Sequence, residues 1–448
     1  MSFSQIVIII SLISFLVVGL VVKRSSMKSY SEFTMKRGGL GWFTIACGIS
    51  MTYAGGAAIL TTASIGYSFK WYALIDPIAL LIGLLITILL FNKYRDNKGT
   101  TISELLSFDN KAMNVLTGIV TSFTFILIVA AQFVALSKLL APYFPSVNPL
   151  LITFFVSTGI FSYVFFGGFN SVTKTDILQY ILITIFLVLP MLFFALFMAD
   201  NQVAAGNTHS FVAMPIDYII LFSIPIVFTP LSQDINLRVK SAKNSRQGKL
   251  GLMIGGLFYL SITLAAAYVG VYMGKHGIAL SDPEQAIPIF FKDAFPKLGF
   301  FAIIATLSAI VSSLDSYTLN SITSISNDII RPLSTRNDNP PRNIKIAAII
   351  TYILAMAIAL FFNKVLALSM TSLLVYISVL LPISMANILK LKGSQIFVMT
   401  IVEILFIVMV EVTKIELSPK AIVYPVFGCS ISLVFWLINT LYHGNKTK

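Results

Sequence analysis

The chain has 448 residues, of which 57% are hydrophobic and 11% are charged, with a net charge of +13 and a mean hydropathy of +0.89. These values exclude an ordinary soluble globular protein, in which about 45–50% of residues are apolar and about 25% are charged. Apolar runs long enough to cross the roughly 30 Å of hydrocarbon in a bilayer recur over the whole length, and no interval between them is large enough for a soluble domain. The composition therefore predicts a single all-α, polytopic membrane domain over residues 1–448.

Thirteen transmembrane helices are predicted from the apolar runs, taken in chain order. The first run has no basic segment before it and no small-residue cleavage site after it, so we expect a retained span and not a signal peptide. The predicted helices 1 to 13 cover residues 5–22, 42–66, 72–91, 112–141, 149–167, 175–199, 215–235, 250–274, 299–328, 343–362, 365–389, 395–413 and 421–442.

Most of the 31 Lys and Arg residues lie in alternate loops, those that follow the odd-numbered predicted helices. The positive-inside rule then places the N-terminus outside and the C-terminus in the cytoplasm, in agreement with an odd number of helices. We therefore predict a multi-pass protein of the cytoplasmic (inner) membrane. The same alternation accounts for the net positive charge, so no nucleic-acid partner is expected.

The sequence contains no residue pattern of a metal-dependent enzyme. His209, His276 and His443 have none of the spacings found in metallohydrolase motifs. Cys47 and Cys429 both lie within predicted apolar spans, where cysteine usually serves as a small buried side chain. The chain is therefore not predicted to be an enzyme.

Predicted helix 9 carries a polar face. The stretch ATLSAIVSSLDSYTLNSITSISND begins at Ala305. Ionisable groups inside a membrane are energetically unfavourable and usually face a bundle interior or an ion path. Hydroxyl, carboxylate and carbonyl oxygens suit small hard cations, so sodium is the first hypothesis. Alternatively, the hydroxyls bond backbone carbonyls one turn earlier and join neighbouring helices. At helical pitch, one face of this helix carries Ser308, Ser312, Asp315 and Ser316.

Two predicted helices contain residues that disfavour a continuous helix. Helix 2 contains Gly55 and Gly56, and helix 7 contains Pro225 and Pro230. Each proline removes a backbone donor, whereas the glycine pair either marks an unwound segment or allows close helix packing. Because the two helices are five apart in order, they fit two inverted repeats, helices 2–6 and 7–11, with ligands bound at the midplane beside the breaks. This arrangement is typical of secondary transporters.

Four local motifs accompany these features. They are SMTYAGGAAIL from Ser50, GGFNSVTKTDILQ from Gly167, SQDINLRVKSAK from Ser232, and AIVSSLDS from Ala309 with the later SND. With these motifs the chain resembles the sodium:solute symporter family almost end to end. The resemblance implies the leucine-transporter-type fold: a peripheral first helix and loop at 1–40, a ten-helix core at 41–390 and two peripheral helices at 391–448.

The resemblance also implies sodium-driven import of a small organic solute by alternating access. Position by position, the family's main sodium site corresponds to the backbone carbonyls of Met51, Ala54 and Ala309 and the hydroxyls of Ser312 and Ser313. A second sodium site, found in some members, corresponds to Asp176, Ser312, Asp315 and Ser316. The family's second site has a hydroxyl residue at the position of Asp315, so the carboxylate is a departure that would strengthen this site or pair with a lysine or a substrate amine. Asp176 would alternatively stabilise a helix N-terminus.

The solute cavity is expected between predicted helices 2, 3, 4, 7 and 11. Asp76 would hold a substrate amine or cap its helix, and Gln132 would contact the solute or form an interhelical hydrogen bond. Family members carry amino acids, sugars, vitamins or carboxylates, and helix 4 has no arginine to match the carboxylate clamp of sialic acid transporters. The candidate substrate-binding residues are Tyr53, Asp76, Gln132, Phe228, Ser232, Ser369, Thr371 and Ser372.

Other polar residues are expected to have structural roles. Gln233, Asp234 and Arg238 end helix 7 at the predicted cytoplasmic face, where structural or gating pairs are expected. Glu403 in helix 12 is expected to bond a neighbouring helix.

Three alternatives to a sodium symporter remain. In a proton-coupled symporter of the same fold, Asp176 or Asp315 would carry the proton. A channel is disfavoured by the paired broken helices, and a membrane sensor by the short tail after helix 13. The expected coupling ion is Na⁺, and the expected partners are a small solute and the lipid bilayer, with no obligate protein partner.

Overall fold

The computed structural model describes residues 3–21, 29–35, 38–97, 99–106, 110–197, 212–334 and 338–444. Within these residues every regular element is helical, and the one β contact is an isolated bridge between Leu40 and Ala242. The predicted all-α class is therefore confirmed.

The α-helices are numbered in chain order. They are α1 Phe3–Val21, α2 Tyr30–Thr34, α3 Trp42–Tyr53, α4 Gly56–Phe69, α5 Ile75–Leu89, α6 Phe91–Asp96, α7 Ile102–Leu106, α8 Lys111–Leu140, α9 Pro149–Ile183, α10 Leu189–Phe197, α11 Ile216–Ser223, α12 Pro225–Leu231, α13 Gln233–Ser241, α14 Ser245–Lys275, α15 Ala286–Ala294, α16 Gly299–Thr323, α17 Arg331–Leu333, α18 Pro340–Phe361, α19 Val365–Ile388, α20 Gly393–Thr413 and α21 Lys420–Gly444. Short 3₁₀ turns cover Lys70–Leu74, Ala141–Tyr143 and Pro283–Gln285, and π-helical turns cover Thr184–Val188 and Ser324–Ile330.

Ten helical runs within the described residues are long and apolar enough to cross a membrane, and Phe3–Ile13 and Pro149–Gly159 are shorter apolar helices. The polytopic class is confirmed, whereas length and composition alone do not establish the predicted number of thirteen spans. In the runs that contain α8 and α16, 89% of an apolar 18-residue stretch is buried inside the protein, whereas the corresponding share in the other eight runs is 22–50%. These two helices are therefore central, and the others surround them.

Glycines on one face of α14 bring its backbone against α3 and α4. A Cβ added to Gly251 would lie 2.7 Å from the side chain of Ile45. A Cβ added to Gly270 would overlap the carbonyl oxygen of Ala63. From Gly251 to Gly270 the contacted residue advances from Ile45 to Ala63, so α14 runs parallel to α3 and α4.

Helix α5 crosses beside α14 in the opposite direction. Asp76, at the start of α5, accepts a hydrogen bond from Tyr259 in the middle of α14 at 2.9 Å. Phe91, just beyond the end of α5, occupies the space beside Gly248 at the start of α14. Helices α4 and α5 are thus two antiparallel crossings joined by the turn Lys70–Leu74, as predicted for helices 2 and 3.

Predicted helices 5 and 6 lie on one unbroken helical path. The backbone is α-helical over Pro149–Ile183 and continues through the π-helical turn Thr184–Val188 into α10. A straight helix of this length would measure about 73 Å, more than twice the thickness of the hydrocarbon core. The path must therefore bend.

Both ends of this path lie beside α15. Pro142, shortly before the path begins, accepts a hydrogen bond from Lys292 Nζ at 3.0 Å. Phe194, near its end, packs against Phe290 with ring centroids 5.0 Å apart. The chain therefore crosses and returns, as predicted, but without the non-helical interval expected at 168–174. The side chains at 162–168, 170, 171 and 174, which include five of the thirteen residues of the motif from Gly167, lie outside the described part.

Predicted helix 2 is interrupted at its middle. Helix α3 ends at Tyr53 and α4 begins at Gly56. Between them, Ala54 has φ −78° and ψ 33°, and Gly55 has φ −62° and ψ 169°. Gly56 also allows close packing, because Ile310 occupies the space that its Cβ would take. Both roles predicted for the glycine pair are therefore present.

Predicted helix 7 is divided into α11, α12 and α13. Pro225 begins α12, at a position where the missing N–H has no helical acceptor. Pro230 stays inside α12 and does not interrupt it, because its locked φ is itself helical. The second interruption occurs instead at Ser232, where the backbone is extended with φ −73° and ψ 135°.

We predict that Gly270→Ala lowers the stability of the purified, detergent-solubilised protein by about 1–3 kcal/mol, because the added methyl group forces α14 away from the backbone of α4. Thermal unfolding provides the measurement. The matched control is Gly41→Ala, whose Cβ would meet nothing closer than 4.0 Å. Equal melting temperatures for both variants would contradict the close approach of α14 to α4.

Candidate site at the break between α3 and α4

Ser313 of α16 lies against the break between α3 and α4. Its hydroxyl is placed to donate to the carbonyl oxygens of Met51 and Thr52, each at 2.8 Å. These carbonyls belong to the last turn of α3, which leaves acceptors without an intrahelical donor. Gly55 permits the approach, since a Cβ there would overlap Ser313. Three oxygens of the kind preferred by hard cations are therefore brought together.

Gln132 of α8 faces the same break. Its Oε1 accepts a hydrogen bond from the backbone N–H of Ala57, in the first turn of α4, at 3.2 Å. Its Nε2 would lie 2.9 Å from a Cβ on Gly55. The interhelical hydrogen bond predicted as one alternative for Gln132 is therefore formed, and it satisfies a donor at the uncapped start of α4.

The remaining residues of the predicted main sodium site are fully buried around this point. Ala54 lies in the break itself, and Ala309 lies on α16 one turn before Ser313. Ser312 is directed elsewhere, because its hydroxyl donates to Asp176 Oδ1 at 2.5 Å. The structure thus brings Met51, Ala54 and Ser313 to the break and orients Ser312 toward α9.

Asp176 lies inside α9, seven residues before its end, and not at a helix N-terminus. It is fully buried, and the backbone before it is helical from Pro149. The alternative role in stabilising a helix start is therefore wrong, because no helix begins near Asp176. Ser316, one turn beyond Ser312 on α16, accepts a hydrogen bond from Thr52 Oγ1 at 2.9 Å. Asp315 is 3% exposed.

Arg238 of α13 lies among the residues of the predicted second sodium site. Its Nη2 donates to Thr52 Oγ1 at 2.5 Å and lies 3.4 Å from Ser316 Oγ. The same nitrogen lies 3.8 Å from Asp176 Oδ2, and Nη1 lies 3.6 Å from Asp234 Oδ2. The side chain is only 3% exposed, so its charge is compensated inside the protein by two carboxylates and two hydroxyls.

The sequence predicted that Arg238 forms a structural or gating pair at the end of helix 7, but not that it lies among the residues of the predicted second sodium site. The pair with Asp234 has the i, i+4 spacing of helical neighbours, which is visible in the motif from Ser232. The contacts with Thr52 and Asp176 join helices far apart in sequence and have no local signal. Gly48 makes room for them, since its Cβ would lie 2.9 Å from Arg238 Nε.

Ser232 and Gln233 bind neighbouring helices and do not line the solute cavity. The Ser232 hydroxyl donates to Asp234, which also accepts from the Tyr53 hydroxyl at 3.3 Å. Gln233 Nε2 donates to the carbonyl oxygen of Asn320 at 3.1 Å. The prediction that Ser232 contacts the solute is therefore not supported, because its hydroxyl is already engaged by Asp234.

A cavity of about 90 Å³ adjoins the break and is lined by residues of α3, α4, α5, α8, α11, α12, α14, α16 and α19. Thr371 does not line it, because this residue is exposed on the outer side of α19. Phe222, Tyr259 and Tyr317 also line the cavity and were not predicted. Of the predicted substrate-binding residues, those that do line it are Tyr53, Asp76, Gln132, Phe228, Ser369 and Ser372.

Asp76 does not cap α5. It lies in the first turn of that helix, whose start at Leu74 has no side-chain cap. Asp76 Oδ2 instead accepts a hydrogen bond from the Tyr259 hydroxyl at 2.9 Å. The capping role proposed from the sequence is therefore wrong, because the carboxylate turns toward α14 and the cavity.

Glu403 of α20 also differs from its prediction. It is fully buried against Gly428 of α21, and neither carboxylate oxygen has a hydrogen-bond partner among the described residues. The expected structural hydrogen bond is thus absent from the described part of the chain, because the facing residue has no side chain to supply a donor.

Two solved structures share this fold. A Na⁺-coupled sialic acid symporter in a substrate-bound, outward-open state superposes with a TM-score of 0.70 at 18% identity, covering 99% of this chain and 98% of the other. The nucleobase-cation-symport-1 family transporter MHP1, in a closed conformation with bromovinylhydantoin bound, gives a TM-score of 0.57 at 15% identity, covering 94% and 97%. At these identities the likeness concerns the fold alone, and it confirms the predicted fold class.

Sequence comparison identifies the family. The osmoregulated proline transporter OpuE of Bacillus subtilis (strain 168) is 24% identical over 221 residues, which are 45% of this chain and 44% of that protein. The alignment therefore spans less than half of that curated relative. The model of the sodium:solute symporter family matches residues 33–402. The chain thus belongs to the sodium:solute symporter family, a family of membrane transporters and not of enzymes.

Proposed function

We propose that the protein is a sodium-coupled symporter that imports a small organic solute by alternating access. The observation that carries this proposal is the break between α3 and α4, where the Ser313 hydroxyl meets the carbonyls of Met51 and Thr52 at 2.8 Å beside a cavity. Broken helices beside a central cavity are the sites at which secondary transporters bind ions and solutes. Family membership supports sodium as the coupling ion.

Sodium binds at the break in this proposal. The Met51 carbonyl and the Ser313 hydroxyl oxygen are its primary ligands, with the carbonyls of Ala54 and Ala309 and the hydroxyl of Ser312 completing the shell. Such neutral oxygen ligands suit a hard cation. A bound ion takes the place of the Ser313 proton between the carbonyls, and the hydroxyl then turns its oxygen toward the ion.

Coupling to the solute passes through the same break. Gln132 bonds the start of α4 and also lines the cavity. An ion that fixes the backbone of Ala54 and Gly55 therefore fixes one wall of the solute site. Because coupling between binding sites is reciprocal, the solute strengthens sodium binding to the same extent.

The proposed orientation places the N-terminus outside and the C-terminus in the cytoplasm, in the cytoplasmic (inner) membrane. The distribution of basic residues supports it. Uptake in this orientation carries sodium and solute inward together, down the sodium gradient.

Replacing external sodium with potassium at constant pH separates sodium coupling from proton coupling. A sodium symporter loses accumulation of its solute in potassium, whereas a proton symporter retains it. Proteoliposomes with an imposed sodium gradient provide the measurement, and a proline-containing panel of radiolabelled solutes provides the substrate. Uptake that is equal in both salts would overturn the proposed coupling.

We predict that Ser313→Ala weakens sodium binding at least about tenfold, because it removes the hydroxyl oxygen from the break, a loss of roughly 1.4 kcal/mol or more. The measurement is the sodium dependence of thermal stability, with potassium keeping the ionic strength constant. Ser308→Ala is the matched control, since the Ser308 hydroxyl donates only to the Ala305 carbonyl of its own helix at 2.7 Å.

Equal sodium affinities in the two variants would contradict a sodium site at Ser313. Ser312→Ala is expected to have an intermediate effect, because its hydroxyl is bonded to Asp176 and must turn to reach the ion.

A further inference from the structure

The cavity contains one charged side chain, and that side chain is an acid. Asp76 is the only Asp, Glu, Lys or Arg among the described residues that line it. No ion pair within the described residues includes Asp76, and its one hydrogen bond there comes from the Tyr259 hydroxyl to Oδ2. A carboxylate at membrane depth is unfavourable without a positive partner. A positively charged ligand would supply that partner.

Aromatic rings form much of the wall around this carboxylate. Tyr53 and Tyr259 pack edge to face with centroids 6.3 Å apart. Phe222, Phe228 and Tyr317 line the same cavity. Aromatic faces carry negative electrostatic potential and attract ammonium groups, most strongly when water is excluded. The wall and Asp76 therefore favour the same kind of ligand.

We propose that the transported solute carries a positively charged nitrogen, as an amine or a quaternary ammonium group, which pairs with Asp76 inside this aromatic wall. The inference rests on the proposed function and names its substrate class. The cavity, of about 90 Å³, suits a compact molecule. Sugars and simple carboxylates lack the charge that the site would compensate.

Pairs of isosteric solutes test this inference on the purified, full-length protein. Choline is compared with 3,3-dimethylbutan-1-ol, which replaces its nitrogen by carbon, and proline with cyclopentanecarboxylate, which lacks the amine. Thermal unfolding is measured in sodium and in potassium. We expect sodium-dependent stabilisation by one or both ammonium solutes and none by their analogues. The proposal would be overturned if an analogue stabilised the protein as much as its ammonium partner does, or if neither ammonium solute stabilised it.

Asp76→Asn provides the matched variant, because it keeps the shape and removes the charge. We expect the affinity for the stabilising ammonium solute to fall at least about tenfold, as when one partner of a buried charge pair is lost. Asp293→Asn, which removes an exposed carboxylate, is the control and should retain the affinity. Sodium alone should stabilise Asp76→Asn as it stabilises the wild-type protein. If sodium alone does not stabilise the wild-type protein, that result counts against the sodium site at Ser313 and not against the role of Asp76.

A second inference concerns the ion stoichiometry and rests on different contacts. The guanidinium of Arg238 contacts Ser316 and Asp176, two of the four residues of the predicted second sodium site, and Ser312 is engaged by Asp176. The hydroxyl of Thr52 completes this arrangement by accepting from Arg238 at 2.5 Å. Two of the oxygens that a second ion would need therefore already face a fixed positive charge.

We infer that Arg238 replaces a second sodium ion and that the protein binds one sodium per molecule. A sodium ion beside the guanidinium would face a like charge in a buried setting with little screening. The side chain of Arg238 thus supplies a fixed cation that joins α3, α9, α13 and α16.

Binding of ²²Na⁺ to the purified protein tests this inference without a solute. We expect one ion per wild-type molecule and two per Arg238→Gln molecule, in which the guanidinium charge is removed. Lys243→Gln, which removes an exposed charge two residues beyond α13, should bind as many ions as the wild type. Two ions per wild-type molecule, or no gain on Arg238→Gln, would contradict the inference. A wild-type protein that binds none but gains one on Arg238→Gln would sink the Ser313 site and the stoichiometry of one, and would retain only the replacement of an ion by Arg238.

Discussion

Backbone carbonyls that leave a helix inside a bilayer have no water to bond, and the break at Ala54 and Gly55 depends on this constraint. The structure satisfies it with two side chains from its two central helices. Ser313 on α16 serves the end of α3, and Gln132 on α8 serves the start of α4. Both side chains can approach because Gly55 leaves space for them. The break, the cavity beside it and the burial of α8 and α16 are therefore parts of one arrangement.

A short distance from the break, buried charged groups must likewise find their partners inside the protein. Arg238 and its carboxylate partners are almost fully buried, and removing Arg238 would leave two buried carboxylates without compensation. The cluster also connects segments from both predicted repeats, α3 and α9 from the first and α13 and α16 from the second. Electrostatic compensation thus provides a specific register between the two halves, in addition to apolar packing.

Features with a local cause were predicted from the sequence. The class of protein, the interruption at the glycine pair and the polar face of α16 follow from composition and helical periodicity. Features that depend on remote partners were not. Asp76 was expected to cap α5 but bonds Tyr259, which is 183 positions away, and Arg238 was placed at an aqueous face but contacts Thr52, 186 positions away. No periodicity in a single helix specifies such partners.

The glycines of α14 limit how the protein can move. Where Gly270 meets α4, the contact is between backbones, which have no rotamers with which to adjust, and Gly251 packs against the Cβ of Ile45 in α3, which a change of rotamer cannot move. A slide of even one residue would place a side chain where only hydrogen fits. The three helices must therefore travel as a rigid body, and rotation between states must occur at the non-helical joints beside them, such as the extended backbone at Ala242 and Asn244, immediately before α14 in the second repeat.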